Sequence, residues 1–221
     1  MDAVLFDMDG TLFDSEKLWT VSLDELAARL GGELSLETRL AMVGTNVPET
    51  VVMLHRDLGI LDGIEASAAF LLARTKELYR ERLPWLPGAR ELLAAVRAAG
   101  LPTALVTSTP RDLVDVAVAA IGPGMLDAIV AGDEVEHNKP HPESYLRAAA
   151  ALGVPPARCL AIEDSPAGVA SAESAGCPVL AVPHEVPLGP GARRIVRETG
   201  LAGVTVETLR TVHRTIVAAW A

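Results

Sequence analysis

The sequence predicts an α/β fold in which a doubly wound parallel sheet carries an inserted α-helical segment. Two observations predict it. Short, continuous apolar runs alternate with amphipathic helical segments over most of the 221 residues, as expected of strands that are covered on both faces. One segment near the N-terminus contains several helical patterns but no good strand. Repeated β–α units favour a parallel sheet, and the segment that breaks this repeat favours an insertion.

The predicted strands are short runs that are continuously apolar rather than alternating. Five of them are rich in Ala, Val, Leu and Ile, and a sixth is shorter. They lie at residues 3–7, 102–107, 127–131, 159–163 and 178–182, with the short sixth near 203–206.

Start and stop signals mark the helices between these strands. Residues 88–99 end at Gly100, a common residue just beyond a helix C-terminus. Residues 166–175 follow Ser165, which is a favoured N-cap residue, and open with a proline. Two further helices are predicted at residues 111–120 and 142–151.

The segment that breaks the repeat is long enough to form a domain of its own. Its helical stretches lie at about residues 15–30, 36–43, 48–57 and 64–82. The turn PWLPG, residues 84–88, then restarts the α/β pattern. We therefore predict a core domain of residues 1–14 and 87–221 and a helical cap domain of residues 15–86, joined by two hinges. The alternative is that these helices only pack on one face of the sheet.

Composition and charge limit the classes of function that the protein can have. A net charge of −10 and a pI near 5.0 argue against nucleic-acid binding, because an acidic surface repels phosphate backbones. No apolar run is long enough for a membrane helix, and the N-terminus begins with an acid, so we expect a cytoplasmic protein. Cys159 and Cys177 fit neither a redox nor a zinc motif and are predicted to be buried. No heptads or interface signature stand out, so we expect a monomer.

The stretch FDMDGTLFD, residues 6–14, is the first candidate for chemistry. Asp7 would lie at the carboxyl end of a buried strand, where open parallel sheets bind ligands, and Asp9 would face the same side. A calcium loop would need Gly at its sixth position and Glu at its twelfth, but Leu12 and Leu18 stand there. The other interpretation is an aspartate nucleophile that forms an aspartyl-phosphate.

The motif DMDGT resembles the first motif of the haloacid dehalogenase-like superfamily, in its phosphatase and phosphomutase branch. Three further motifs follow in the family's order: LVTST at residues 105–109, the lysine of NKPHPESY at 138–145, and AIEDSPAG at 161–168. The resemblance spans nearly the whole chain. It implies a Rossmann-like core with a helical cap.

The resemblance also implies a Mg²⁺ site. Asp7 would supply one carboxylate oxygen, the main-chain carbonyl of Asp9 a second ligand, and Asp164 a third. Glu163 would either ligate the ion directly or orient a bound water. The alternative for Glu163 and Asp164 is that they only cap the helix that follows. Magnesium prefers such oxygen ligands, and its charge would let a carboxylate approach a phosphate dianion.

The remaining implied roles concern the phosphate and the proton. Lys139 would contact both Asp7 and the phosphate, although a lone lysine is usually solvated. Thr107 would donate its hydroxyl, and Ser108 its main-chain N–H, to phosphate oxygens. Asp9 would protonate the leaving alcohol and then activate water.

The cap distinguishes members of the superfamily. Dehalogenases of this superfamily lack the second aspartate of the first motif, so Asp9 argues against dehalogenation. The related β-phosphoglucomutases carry a His on the first cap helix and a Lys before a later Gly, where Trp19 and Val43 stand here. A mutase must clamp a second phosphate, so these apolar residues favour a phosphatase over a phosphomutase. A non-catalytic phosphate-binding protein is a further alternative, against which the intact Asp7 and Asp9 argue.

Cap residues are predicted to contact the leaving group. These candidates are Trp19, Val43, Gly44, Thr45 and Asn46. Trp19 could instead belong to the core of the cap. An apolar wall suits a small phosphorylated metabolite such as a sugar phosphate, a nucleotide or a similar phosphomonoester.

Overall fold

A computed structural model describes residues 1–220 and contains one six-stranded parallel sheet. Residue 221 lies outside the described residues. The strands are β1 (Ala3–Phe6), β2 (Thr103–Val106), β3 (Ala128–Val130), β4 (Cys159–Glu163), β5 (Val179–Ala181) and β6 (Arg194–Val196). Their order is β3-β2-β1-β4-β5-β6, which confirms the predicted doubly wound sheet. Because Phe6 pairs with Ile162, the residues that follow β1 and β4 leave the sheet side by side.

The prediction of the sixth strand is wrong. The strand lies at Arg194–Val196, and residues 203–206 instead lead into a helix. The side chain of Thr205 accepts a hydrogen bond from the Thr208 N–H and so caps that helix. β6 is a three-residue edge strand that is only partly buried and begins with an arginine. It therefore lacks the continuous apolar run that indicated the other strands.

Helices cover both faces of the sheet. They are α5 (Ala89–Ala98), α6 (Arg111–Ile121), α7 (Glu143–Leu152), α8 (Pro166–Ser174) and α9 (Val206–Ala218). Val4 and Phe6 point into an apolar cluster that contains residues of α5, α6 and α9. Ala3 and Leu5 point into a second cluster that contains residues of α7 and α8. The two clusters explain why β1 is continuously apolar, since each face of the strand has its own core.

The inserted segment consists of four helices. They are α1 (Glu16–Arg29), α2 (Leu36–Met42), α3 (Val47–Leu58) and α4 (Ile64–Glu81). Leu26, Leu54 and Leu71 are buried in an apolar cluster that contains no residue of the sheet. No helix within residues 1–220 is both long and apolar enough to cross a membrane. The insertion thus has its own small core, while the domain boundaries given above stay predictions.

The two connections to the insertion run beside each other. Asp14 N–H donates to the carbonyl of Pro84 and Leu86 N–H donates to that of Leu12, each at 2.9 Å. The rings of Phe13 and Trp85 lie 4.4 Å apart, centroid to centroid. These paired contacts hold both connections close to the end of β1.

Candidate active site

Carboxylates from two neighbouring strands meet at the carboxyl edge of the sheet. Asp7 follows β1, Glu163 ends β4 and Asp164 comes next. One oxygen of each of these three side chains lies within 4.8 Å of the other two, and all three residues are buried. The fold therefore brings together acids that are more than 150 positions apart in the sequence, counted from Asp7 to Glu163.

Lys139 is the counter-charge of this cluster. Its Nζ donates to Asp7 Oδ1 at 2.7 Å, to Glu163 Oε1 at 2.6 Å and to the Val106 carbonyl at 3.0 Å. Only 4% of the residue is exposed, so it is not a solvated loop lysine. Burial disfavours the charged form of Lys139. The attraction of the Asp7 and Glu163 carboxylates is stronger than this effect, so the pKa of Lys139 is raised above its ordinary value. The lysine is therefore charged at any physiological pH.

One ammonium does not balance three carboxylates. Burial raises the pKa of Asp7 to about 8; Glu163 adds to the rise and Lys139 opposes it. Burial and the nearby Asp7 likewise raise the pKa of Asp164 well above its ordinary value. The buried Oδ2 of Asp7 has no hydrogen-bond partner among residues 1–220. A further positive charge bound at this oxygen would relieve both the repulsion and the unpaired atom.

The donor set fits magnesium. Beside the Lys139 ammonium, the potential ligands that converge here are carboxylate oxygens, which Mg²⁺ prefers. Gly10 has φ +75°, and a Cβ at this position would lie 2.2 Å from Asp164 Oδ2. Only glycine lets the loop after β1 pass so close to that carboxylate. Asp7 and Asp164 are thus the side chains in place to hold the ion, while the Asp9 carbonyl stays a predicted ligand.

Glu163 is already fully engaged by protein groups. Its Oε1 accepts hydrogen bonds from Lys139 and, at 2.6 Å, from the Tyr145 hydroxyl, and its Oε2 accepts from the N–H groups of Asp164 and Ser165. A Cβ on Gly168 would lie 2.0 Å from Oε1, so a glycine is needed there as well. These contacts favour orientation of Lys139 over direct metal ligation. Tyr145 lies inside the quoted NKPHPESY stretch, but nothing in that stretch indicated its contact with Glu163.

The Asp9 carboxylate is held by four hydroxyl groups. Its Oδ1 accepts from Ser15 and Tyr79, each at 2.6 Å. Its Oδ2 accepts from Thr109 at 2.7 Å and from Thr107 at 3.3 Å. Sequence reasoning missed Ser15, Tyr79 and Thr109. Thr109 could have been found as the second threonine of LVTST, whereas Tyr79 reaches Asp9 across 70 positions and carries no local signal.

The two predicted phosphate ligands after β2 lie in the same cleft. Thr107 Oγ1 also accepts a hydrogen bond from the Thr109 N–H at 3.0 Å, which fixes its position. The Ser108 hydroxyl donates to the Gly44 carbonyl of the insertion at 3.4 Å. Both residues line the cleft beside Asp7. Their roles toward phosphate stay predictions.

Four of the five predicted cap residues line the cleft. They are Trp19, Val43, Gly44 and Thr45. The fifth, Asn46, does not line it, because its side chain accepts from the Glu49 N–H and caps α3. Gly44 has φ +77°, and a Cβ there would lie 2.7 Å from Ser165 Oγ, so the loop after α2 approaches the core closely. Trp19 lines the cleft and also packs against the apolar core of the insertion. Its position is therefore compatible with a contact to the leaving group and with a role in the core of the cap.

The cleft lies between the insertion and the carboxyl edge of the sheet and encloses about 220 Å³. Its floor carries the polar groups described above. Its opposite wall is formed by α1, α2, the loop after α2 and the first turn of α3. Such a cavity can hold a small molecule with one end on the acidic cluster and the other against the insertion.

Residues that sequence reasoning set aside lie outside the cleft. His137 and His141, which flank Lys139 in the sequence, are exposed and do not line the cleft. Cys159 and Cys177 are free and buried, and burial raises the pKa of the Cys159 thiol to about 12. Neither thiol is therefore prepared for nucleophilic chemistry.

Comparisons with known proteins relate this chain to one family. The family model described as haloacid dehalogenase-like hydrolase matches residues 1–176. Protein CbbY of Rhodobacter capsulatus is 36% identical over 200 residues, which cover 86% of this chain and 88% of the relative. Hexitol phosphatase B of Escherichia coli K12 is 32% identical over 184 residues, covering 82% and 83%. A crystal structure of β-phosphoglucomutase from Clostridium difficile shares the fold, with a TM-score of 0.87, 21% identity and 99% coverage of both chains.

Proposed function

The chain belongs to the haloacid dehalogenase-like hydrolases, and on this premise we propose that it is a Mg²⁺-dependent phosphatase. Its substrate is a small phosphorylated metabolite: a sugar phosphate, a nucleotide or a similar phosphomonoester. One observation carries the proposal. Asp7, whose Oδ2 has no hydrogen-bond partner within residues 1–220, lines the cleft between Lys139 and Asp164. A carboxylate oxygen kept free of protein donors is available to a metal ion and an ester.

Charge is the first obstacle to the reaction. The carboxylate of Asp7 and a phosphate ester repel each other. Asp7, Asp164 and the main-chain carbonyl of Asp9 would hold Mg²⁺, whose positive charge offsets this repulsion. Lys139 is fixed by Glu163 at 2.6 Å and adds a second cation beside the phosphate.

Asp7 acts as the nucleophile and Asp9 as the acid and base. An oxygen of Asp7 bonds to phosphorus while the bond from phosphorus to the alcohol oxygen breaks, and Asp9 gives its proton to that oxygen. Asp9 then takes a proton from a water molecule, whose oxygen bonds to phosphorus as the aspartyl-phosphate bond breaks. Inorganic phosphate leaves and Asp7 is restored. The main-chain N–H of Ser108 and the hydroxyl of Thr107, which turns from Asp9 to the ester, donate hydrogen bonds to the phosphate oxygens.

The insertion acts as the cap of this site. We take residues 15–86 as the cap domain and residues 1–14 and 87–221 as the core domain. The separate apolar cluster of the four inserted helices supports this division. Contacts of the Gly44 loop with Ser108 support a direct role of the cap above the phosphate site.

A phosphomutase is the second candidate, because the fold is shared with a β-phosphoglucomutase. A mutase must retain a bisphosphate and let it turn round, which requires a cationic clamp in the cap. Among the described residues, Arg39 is the cap's one cation that lines the cleft, and it is paired with Asp24. This pairing favours hydrolysis. A non-catalytic phosphate-binding protein is the third candidate.

The expected partner is the small-molecule ester alone. A monomeric state, a cytoplasmic location and the absence of nucleic-acid or membrane binding stay predictions from composition and pattern.

One assay separates the three candidates. The protein is incubated with Mg²⁺ and a panel of phosphorylated metabolites, and released phosphate is measured beside isomerised product. Phosphate release that Asp7→Asn abolishes supports hydrolysis. Isomerisation of a hexose 1-phosphate would support the mutase, and binding of phosphate without either product would leave the non-catalytic protein.

A further inference from the structure

The cap wall of the cleft points to the chemistry of the alcohol that the enzyme releases. We propose that the preferred substrate is the phosphomonoester of an uncharged, apolar alcohol, such as an alkyl, aryl or isoprenoid alcohol, rather than of a polyol or a second phosphate ester. The inference rests on the proposed phosphatase function and concerns the same site.

Apolar side chains dominate the wall opposite the phosphate site. They come from α1, α2, the loop after α2 and the start of α3, and they are Trp19, Leu23, Leu36, Leu40, Met42, Val43 and Val47. Two of them are incompletely covered, because Leu36 is 72% exposed and Leu40 is 47% exposed. An apolar group that occupies the cleft would remove part of this surface from water, which is favourable. A polyol would gain much less free energy from the same contact, because its hydroxyl groups would have to give up their hydration.

Most polar groups on the cap wall are already used. Thr45 Oγ1 donates to the Met42 carbonyl at 2.8 Å and shares a hydrogen bond of 2.9 Å with Thr50 Oγ1. Trp19 Nε1 donates to the Tyr79 hydroxyl at 3.0 Å. Thr20 is exposed at the rim of the cleft. Substrate hydroxyls placed against this wall would lose water and find few partners, which is costly.

The charges around the wall disfavour a second anionic group. Arg39 is ion-paired with Asp24 and would have to give up that partner. The rim of the cleft carries two acids, Glu16 at the start of α1 and Glu185 in the segment after β5. Glu16 is held at 2.6 Å by His184, so it stays in place beside the cleft. A second phosphate would therefore face two carboxylates and one cation that is already paired.

The test compares esters that share a primary-alcohol leaving group. Phosphate release is measured with Mg²⁺ for hexyl phosphate, glucitol 6-phosphate and fructose 1,6-bisphosphate. We expect kcat/KM for hexyl phosphate to exceed that for glucitol 6-phosphate by about tenfold or more, and the bisphosphate to be the poorest of the three. The neighbouring hydroxyls make glucitol the more acidic alcohol and so the better leaving group, and a ratio in favour of hexyl phosphate therefore reports contacts with the wall.

Matched variants test whether the preference for an apolar alcohol arises from the cap wall of the cleft. Leu36→Gln and Leu40→Gln introduce an amide at exposed positions that line the cleft, and we expect each to reduce the ratio of hexyl to glucitol phosphate severalfold. Val52→Gln is the control, because Val52 is 40% exposed on α3 and does not line the cleft. Its ratio should equal that of the wild type.

The outcomes separate this inference from the proposed function. Equal or faster release from glucitol 6-phosphate or the bisphosphate would overturn the apolar preference and leave the phosphatase intact. An unchanged ratio in both leucine variants would also overturn it. No phosphate from any ester, under conditions in which Asp7→Asn behaves like the wild type, would overturn the phosphatase and the inference with it.

Discussion

Lys139 Nζ lies 2.7 Å from Asp7 Oδ1 although the two residues are 132 positions apart in the chain. Both side chains are buried, so each would be costly to bury without the other. The pair therefore belongs to the stability of the core as well as to the chemistry of the cleft. It also keeps one oxygen of Asp7 oriented toward the lysine while the other has no partner within residues 1–220.

Replacement of Lys139 by Met should damage both folding and activity. The change leaves Asp7 and Glu163 buried without their cation, which should lower the free energy of unfolding by about 3–5 kcal/mol. Urea denaturation and phosphate release measure the two effects. Lys17→Met is the matched control, because Lys17 pairs with Asp14 at an exposed site and its loss should change neither result. A Lys139→Met protein with wild-type stability and turnover would contradict the role of this pair.

Magnesium should stabilise the protein through Asp164. An ion that binds only the folded state adds about 2.7 kcal/mol at 100 times its Kd, which raises Tm by about 5–10 °C in a domain of this size. Thermal unfolding with Mg²⁺ and with EDTA measures the shift. Asp164→Asn should lose most of it, whereas Asp115→Asn, which changes an exposed carboxylate on α6 outside the cluster, should keep it. A wild-type Tm that is indifferent to Mg²⁺ would refute the metal site.

The metal-free protein should lose stability as pH rises through the range from about 4 to about 8. The pKa of Asp7 is raised from 3.8 to about 8, chiefly by burial, so the folded state keeps a proton that the unfolded state releases. This contribution is fully present below pH 4 and is lost as pH approaches 8. Urea denaturation in EDTA across this range measures it, as the difference between wild type and Asp7→Asn. A difference that is constant with pH would show that Asp7 titrates normally.

Asp9→Asn should separate catalysis from binding. The amide cannot carry the proton, so turnover should fall by about 10²–10⁴-fold. Binding of Mg²⁺ and inorganic phosphate, followed by calorimetry, should survive, because Asp7, Lys139 and Asp164 are unchanged. Asp115→Asn on α6 is the control and should behave like the wild type, since that carboxylate is exposed. Near-normal turnover of Asp9→Asn would remove Asp9 from the acid–base role.

Most of the core could be predicted from the pattern of apolar residues. β1, β2 and β4 were predicted to within two residues, because a strand buried on both faces must be apolar throughout. The sequence also indicated where Asp7, Lys139 and Asp164 stand, since each lies at a strand end or a helix entry with a recognisable local pattern. Edge strand β6 and helix α9 were not predicted, because a partly buried edge strand and a threonine N-cap leave only a weak signal in the sequence.

How these residues act on one another depends on the folded arrangement of the chain. The contact of Tyr79 with Asp9 and the contact of Tyr145 with Glu163 have no local signature, whereas the N-cap role of Asn46 could have been predicted from Pro48 and Glu49 beside it. Hydrogen bonds of this kind depend on how the insertion packs against the edge of the sheet. The residues that neighbour each side chain in the sequence carry no information about that packing. Apolar periodicity and capping residues are visible in neighbouring positions of the sequence. A site is made by side chains from distant positions, which meet only in the folded protein.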